Sequence, residues 1–122
     1  MSYDLVVWEG NPPASSSEAE RTFEELMDAD EARADRELPP GPLTPAIDAL
    51  LRDLTTCWRD GIDMDESSPW AMSHLRDAAS GRLAYFTMST SPLLDEAVDY
   101  IAHVARGLGL VCYDPQREEI IS

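Results

Sequence analysis

The sequence predicts an α+β domain in which helices cover one face of an antiparallel-rich sheet, in a ferredoxin-like or related arrangement. Residues 3–8 and 82–89 are short apolar segments typical of strands. Two capped helices with regular apolar stripes accompany them, and the predicted element order is β-α-α-β-β-α-β. The length of 122 residues fits one domain, so we expect residues 1–122 to fold as a single unit.

The chain begins with a strand and a long acidic helix. Residues 3–8, YDLVVW, are β-branched and aromatic, and the breakers at 10–13 end them. Ser17 and Glu20 have the S-x-x-E spacing of a capping box, which predicts the start of the helix. Because apolar residues become scarce towards the end of this helix, we predict a loosely attached acidic elaboration at about residues 14–42.

The second helix has the clearest sequence signals. Thr44 is a favourable N-cap residue, and Pro45 occupies the first helical position, where its missing N–H has no cost. Apolar residues then recur at three- and four-residue steps, which predicts that one side of the helix packs on the sheet. They are Ile47, Leu50, Leu51, Leu54, Cys57 and Trp58. Gly61 is a natural stop.

The second half of the chain supplies the remaining strands and the last helix. After an acidic loop, residues 70–75 alternate weakly, and residues 82–89 alternate clearly. Ser91 and Pro92 predict the start of the last helix. The apolar segment LVCY at 110–113 predicts a further strand, and a short terminal strand is expected at 119–121.

Charge is the strongest compositional feature. The formal net charge is −15, and all nine basic residues are arginine. Nucleic-acid binding requires clustered Lys and Arg, so we expect no direct binding of nucleic acid. An anionic membrane would repel the same surface. A basic protein would be attracted to it, although acidic surfaces also serve solubility alone.

Several features predict a cytoplasmic protein. The N-terminus has no signal-peptide pattern, and no apolar run approaches the roughly 20 residues that span a bilayer. Cys57 and Cys112 lie far apart and form no CxxC pair. We therefore expect both to be buried free thiols in a reducing compartment.

One segment of the sequence is a candidate for a metal or catalytic site. The acidic loop 60–66 contains Asp60, Asp63, Asp65 and Glu66, but it lacks the Gly and Glu spacing of a calcium-binding EF-hand loop. A less regular carboxylate metal site there stays open. Elsewhere, Cys112 lies in an apolar segment that disfavours its thiolate, and no nucleotide-binding motif occurs. We therefore predict no enzyme, no metal and no cofactor.

Acidic residues without a packing role are the candidates for contacting a partner. The second half of the first helix has little apolar surface, so packing does not explain its acids. The loop acids and Trp70 beside them could also contact a basic partner, although a core position for Trp70 is equally consistent. The predicted contact residues are Asp28, Asp30, Glu31, Asp35, Asp60, Asp63, Asp65, Glu66 and Trp70.

Four segments resemble a known set of proteins. The opening MSYDLVVWEG, SPW at 68–70, the strand GRLAYFTMS and GLVCYDPQ at 109–116 are similar to small acidic bacterial proteins of the MSYDLxVW…SPW…GLVxYDPQ type. These resemble immunity-type accessory proteins of polymorphic toxin systems. The likeness covers most of the chain except residues 14–42. It implies a fold and a partner, a toxin domain, but no catalytic residues.

The residues and the resemblance lead to the same functional hypothesis. A small acidic scaffold without a catalytic motif fits a non-enzymatic immunity or antitoxin-type inhibitor, which neutralises a basic toxin domain such as a nuclease by direct binding. Two alternatives stay open. One is a small metal- or ligand-binding enzyme that uses the loop 60–66. The other is a regulatory or structural module that forms a homodimer through a sheet edge.

Overall fold

The described helices and strands follow one another in the predicted order, including the short terminal strand, but the second strand, Ala79–Ser80, lies outside the segment 70–75 predicted for it. The computed structural model describes residues 2–11, 13–38, 42–58, 70, 79–90 and 92–121. The elements are β1 (Ser2–Glu9), α1 (Ser16–Asp35), α2 (Pro45–Cys57), β2 (Ala79–Ser80), β3 (Leu83–Ser89), α3 (Leu94–Gly107), β4 (Leu110–Asp114) and β5 (Glu119–Ile120). The predicted α+β class and the terminal strand are confirmed.

The sheet has five strands in the order β2-β3-β1-β4-β5, and every pairing is antiparallel. β1 is central: Val6 is paired with Tyr85 of β3 on one side and with Tyr113 of β4 on the other. β3 lies between β1 and β2, and β1 lies between β3 and β4. The chain thus contains two interleaved β-α-β units, which is the split connectivity that the sequence predicted.

The two sides of β1 are buried in separate hydrophobic clusters, because successive side chains of a strand point to opposite faces. Leu5 and Val7 belong to the larger cluster, together with the apolar stripes of α2 and α3. The α2 stripe matches the predicted positions Ile47, Leu50, Leu51 and Leu54, all of which are buried. The prediction that helices cover one face therefore holds for α2 and α3.

The acidic helix α1 covers the opposite face of the sheet. Ala19 is buried there among Val6, Trp8 and the other residues of the second cluster. Phe23 packs with its ring centroid 5.9 Å from that of Tyr113 and 6.2 Å from that of Tyr85. The physical reason is that β1 is apolar on both sides and needs two covers. The helix is thus a third layer, packed more closely than the predicted loose elaboration.

The N-terminus of α1 lies two residues earlier than the serine spacing predicted. Ser15 is the N-cap, and its Oγ accepts a hydrogen bond from the Glu18 N–H at 3.2 Å. The Glu18 carboxylate in turn accepts from the Ala14 N–H at 3.2 Å. The predicted Ser17–Glu20 box is therefore wrong. Ser15 and Glu18 have the same S-x-x-E spacing, and the run of three serines allowed both frames.

The N-terminus of α2 agrees with the predicted position, whereas that of α3 differs from it. Thr44 is the N-cap of α2, with its Oγ1 accepting from the Ile47 N–H at 3.4 Å, as predicted. α3 begins at Leu94, two residues after Pro92. Ser91, Gly61 and residues 71–75 of the weak predicted strand lie outside the described residues. Trp70 forms an isolated β-bridge with Met88.

The cap assignment gives a direct test. We expect Ser15→Ala to lower the free energy of unfolding by about 1 kcal/mol, because it removes the acceptor for an N–H of the first turn. Ser17→Ala is the matched control and should change stability by less than about 0.5 kcal/mol, since Ser17 is exposed inside the helix. Urea unfolding of both variants measures the difference. An equal loss for the two would contradict the assignment.

Candidate functional site

The outward side of α1 carries a line of carboxylates that we call the acidic ridge, formed by Glu24, Asp28, Glu31 and Asp35. Their spacing of four, three and four residues places them along one side of the helix. All four are exposed. Phe23 and Ala19 hold the opposite side of the helix on the sheet. The packing of α1 therefore presents the acidic ridge to solvent on a regular helix.

Helix stability does not explain the acidic ridge. Like charges three or four residues apart destabilise a helix by about 0.2–0.5 kcal/mol per pair. Carboxylates near a helix C-terminus also oppose the macrodipole, and Asp35 is the last residue of α1, where Arg33 is the only basic residue of the last turn. In the part of the chain that the structure describes, no hydrogen bond or ion pair is recorded for the ridge carboxylates.

Three of the four predicted contact residues in α1 belong to the ridge. Asp28, Glu31 and Asp35 are exposed, whereas Asp30 is half-buried. Asp30 lies seven residues after Phe23, two helical turns along the side that faces the sheet. Glu24 belongs to the ridge but was missed by the sequence reasoning. Its spacing from Asp28 was the signal that could have found it.

The remaining predicted contact residues give a different outcome. Asp60, Asp63, Asp65 and Glu66 lie outside the described residues. Trp70 is buried, with a relative exposure of 1%.

Trp70 is held in the core by both its ring and its polar atom. Its Nε1–H donates to the Trp58 carbonyl at 3.1 Å, and its ring centroid lies 5.8 Å from that of Phe86. A buried ring offers no face to a partner, so the contact role predicted for Trp70 is corrected to a core role. The acids and Pro69 that precede it gave a misleading surface signal, since the bridge to Met88 draws it onto the sheet.

A polar network at the end of β4 was missed at the sequence level. Asp114 is the one charged side chain that is buried among the described residues. The Tyr3 hydroxyl donates to its Oδ2, and the N–H groups of Gln116 and Arg117 donate to its Oδ1 at 3.0 and 3.3 Å. The signal was an Asp-Pro pair directly after an apolar strand, since Asp accepts from backbone N–H groups in such turns.

The same network fixes the first residues of β1. The Gln116 side chain accepts from the Asp4 N–H and donates to the Asp4 carbonyl, both at 2.6 Å. The Tyr85 hydroxyl donates to Asp4 Oδ2 at 2.8 Å. Burial, aided by the carboxylate acceptors, raises the pKa of Tyr3 and of Tyr85 to about 12. Both hydroxyls therefore remain protonated at neutral pH and donate the hydrogen bonds that hold the start of β1 in place.

The two cysteines occupy different environments. Cys112 is buried as predicted, and burial raises the pKa of its thiol to about 12. Cys57 is exposed at the end of α2, which corrects the prediction that both are buried. The Tyr100 hydroxyl donates to Asp53 beside it, and hydrogen bonds to Asp53 and Cys57 together with burial raise the pKa of Tyr100. The apolar stripe of α2 predicted that Cys57 is buried, but Cys57 lies at the edge of that stripe.

Thiol labelling tests this difference. We expect Ellman's reagent at pH 8 to react promptly with one thiol, Cys57, while Cys112 stays protonated and shielded until the protein is unfolded. Cys57→Ser should abolish the prompt reaction, and Cys112→Ser should leave it unchanged. Prompt reaction of two thiols in the native protein would contradict the buried position of Cys112.

Neither the chemistry of the described residues nor likeness to other proteins assigns a function. Within the described ranges, no group of three or more His, Cys, Asp or Glu side chains could hold a metal ion. No helix there has both the length and the apolar character needed to cross a membrane. Comparisons of the chain with protein-family models, curated proteins and solved structures returned no match. Among the described residues, the acidic ridge is thus the feature that bears most directly on function.

Proposed function

We propose that the chain is a non-enzymatic, cytoplasmic binding protein of the immunity type, which neutralises a basic toxin domain such as a nuclease by direct contact. The observation that carries this proposal is the acidic ridge. Its four exposed carboxylates stand in a line where they oppose the stability of their own helix. Charges that destabilise their own helix need a favourable interaction elsewhere to offset the loss. Electrostatic attraction to a cationic partner supplies such an interaction.

The chemistry of inhibition follows from what a nuclease surface must contain. Enzymes that bind nucleic acid hold its phosphates with Lys and Arg side chains. Carboxylates on a preformed helix can pair with those cations and occupy the groove that the nucleic acid would enter. The three-layer packing holds α1 in place through Phe23, so little order has to be gained on binding.

The charge around the ridge adds long-range attraction. Residues 16–37 contain nine acids and three arginines, so the field of this side of the molecule is strongly negative. Such fields accelerate the encounter with a cationic partner at low salt and lose this effect as salt rises. Leu38, which is 48% exposed, lies three residues after the end of α1 and adds an apolar contact near the end of the ridge. We include Leu38 in the proposed surface.

Sheet-edge dimerisation receives less support from the described residues. Within the described residues, the two outer strands of the sheet, β2 and β5, span two residues each. Short edge strands present few free backbone groups to a second copy and are one way in which proteins limit edge-to-edge pairing. Catalysis in the loop 60–66 would lie outside the described residues, and no observation favours it.

The proposal predicts that an adjacent gene encodes a basic toxin-like domain, and the product of that gene is the partner for the test. Co-expression should restore growth to cells that the toxin domain inhibits, and the purified proteins should form a complex at 50 mM salt. Raising the salt to about 300 mM should slow association at least tenfold, because screening shortens the reach of the field. Absence of both rescue and complex formation at low salt would refute the proposal.

A further inference from the structure

A cleft lies on the other side of the sheet from the acidic ridge. It is a cleft of about 400 Å³ between α3 and the turn after β4, and we call it the α3 cleft. Val98 and Ala102 of α3 and Ile121 after β5 form its apolar walls. Asp95 and Asp99 of α3 add carboxylates to the same cleft. This volume is within the range of small-molecule sites, about 300–1,000 Å³.

The charges in the α3 cleft are unevenly compensated. Asp114 and Arg117 also line it, and the Arg117 Nε lies 3.8 Å from the Asp114 Oδ2, so these two charges face each other. Asp95 and Asp99 are exposed, and across the described residues no hydrogen bond or ion pair is recorded for either. Asp99 also borders an adjoining cleft that Arg106 lines. The α3 cleft itself keeps an excess of negative charge from two carboxylates one helical turn apart, beside an apolar wall.

Asp95 and Asp99 differ in their effect on the stability of α3. Asp95 lies in the first turn of α3, where a carboxylate favours the macrodipole. Asp99 lies one turn further along and four residues from a like charge, a spacing that weakens the helix slightly. Helix stability thus accounts for Asp99 less well than for Asp95, although His103 and Arg106 line an adjoining cleft with Asp99.

We propose that the α3 cleft binds a small alkyl cation, an amine or guanidinium group on a short aliphatic chain. The cation is held by Asp95 and Asp99, and the chain lies against Val98, Ala102 and Ile121. An anionic ligand would meet an excess of negative charge, and the described residues offer no three-ligand group for a metal ion. Because the cleft and the acidic ridge lie on opposite faces, this site is independent of the proposed inhibitor surface.

Calorimetric titration with agmatine, a guanidinium on a four-carbon amine, tests the proposal. We expect saturable binding at 50 mM salt, no binding of the anion pentanoate, and at least fivefold weaker binding of the bare guanidinium ion, which lacks the aliphatic chain. Asp99→Asn should weaken agmatine binding at least tenfold through loss of a charge-assisted contact. Asp99 is exposed, so the variant should keep its melting temperature within a few degrees.

Glu96→Gln is the matched control. Glu96 is exposed in the same first turns of α3 but does not line the cleft, so its neutralisation removes one charge nearby. We expect it to change agmatine affinity less than twofold. Equal weakening by both variants would overturn the proposal, since general attraction to an acidic protein would explain it. Absence of saturable binding, or equal binding of pentanoate, would also overturn it.

Discussion

Replacement of Trp70 by alanine is expected to lower the free energy of unfolding by about 3–5 kcal/mol, because it removes a large side chain that the fold buries completely. The ring contacts Phe86 and, edge-on, Trp58 at a centroid distance of 6.2 Å. The substitution also leaves the Trp58 carbonyl without its indole donor. Urea unfolding followed by circular dichroism measures the loss.

The nearby Trp58 gives the comparison. Trp58 is half-buried, so Trp58→Ala should cost less than Trp70→Ala in the same experiment. If Trp70 instead contacted a partner from the surface, Trp70→Ala would leave stability within about 0.5 kcal/mol of the unchanged protein. That result would restore the contact role that the sequence analysis predicted for it.

Neutralising the acidic ridge is expected to separate stability from binding. The variant E24Q/D28N/E31Q/D35N removes the three like-charge pairs within the ridge, two pairs with neighbouring acids, and an unfavourable charge at the C-terminus of α1. We expect its free energy of unfolding to rise by about 1–2 kcal/mol at low salt. Its affinity for the basic partner should fall about 100-fold, because four attractive contacts are lost. Chemical unfolding and calorimetry measure the two effects.

A control with the same charge change distinguishes the ridge from acidity in general. The variant D95N/E96Q/D99N/E119Q removes four exposed carboxylates, three of them on α3, which packs on the opposite face of the sheet. Its affinity for the partner should change less than about fivefold, since screening weakens distant charges. Its stability should change little, because the loss of two favourable first-turn acids is offset by removal of the Asp95–Asp99 like-charge pair. Equal loss of affinity in both variants would argue against a localised surface.

The sequence predicted best those elements in which local and tertiary signals agree. For α2, the Thr44 cap, Pro45 and the apolar stripe all specify one helix with one buried side, and the structure has it there. Strands β1, β3 and β4 were located by their apolar patterns and breakers, whereas β2 was not. The split pattern of elements was predicted, but the order of the strands in the sheet was left open and comes from the structure.

The errors arose where a local pattern had more than one physical solution. The three consecutive serines allow two pairs with S-x-x-E spacing, and the N-cap in the structure is the serine of the earlier pair, Ser15. Trp70 follows acids and a proline, which is typical of a surface loop, but a long-range bridge to Met88 places it in the core. The face that α1 covers depends on which side of β1 lacks another helix, and no local signal in α1 encodes it.

The candidate site was predicted in part for the same reason. Sequence composition located an acidic segment, but the helical period and the position of Phe23 decide which acids face solvent. That is why Asp30 is half-buried and Glu24 replaces it on the ridge. The Asp114 network depends on residues more than a hundred positions apart, such as Tyr3, so only the folded chain brings it together.

The most direct measurement is a calorimetric titration at 50 mM salt, in which the basic toxin domain that the proposal predicts in an adjacent gene is added to the unchanged protein and to the ridge variant. We expect saturable binding to the unchanged protein, with about 100-fold weaker binding to E24Q/D28N/E31Q/D35N although that variant is the more stable of the two. Equal affinity for both proteins would contradict the central claim that the carboxylates along α1 form the partner-binding surface.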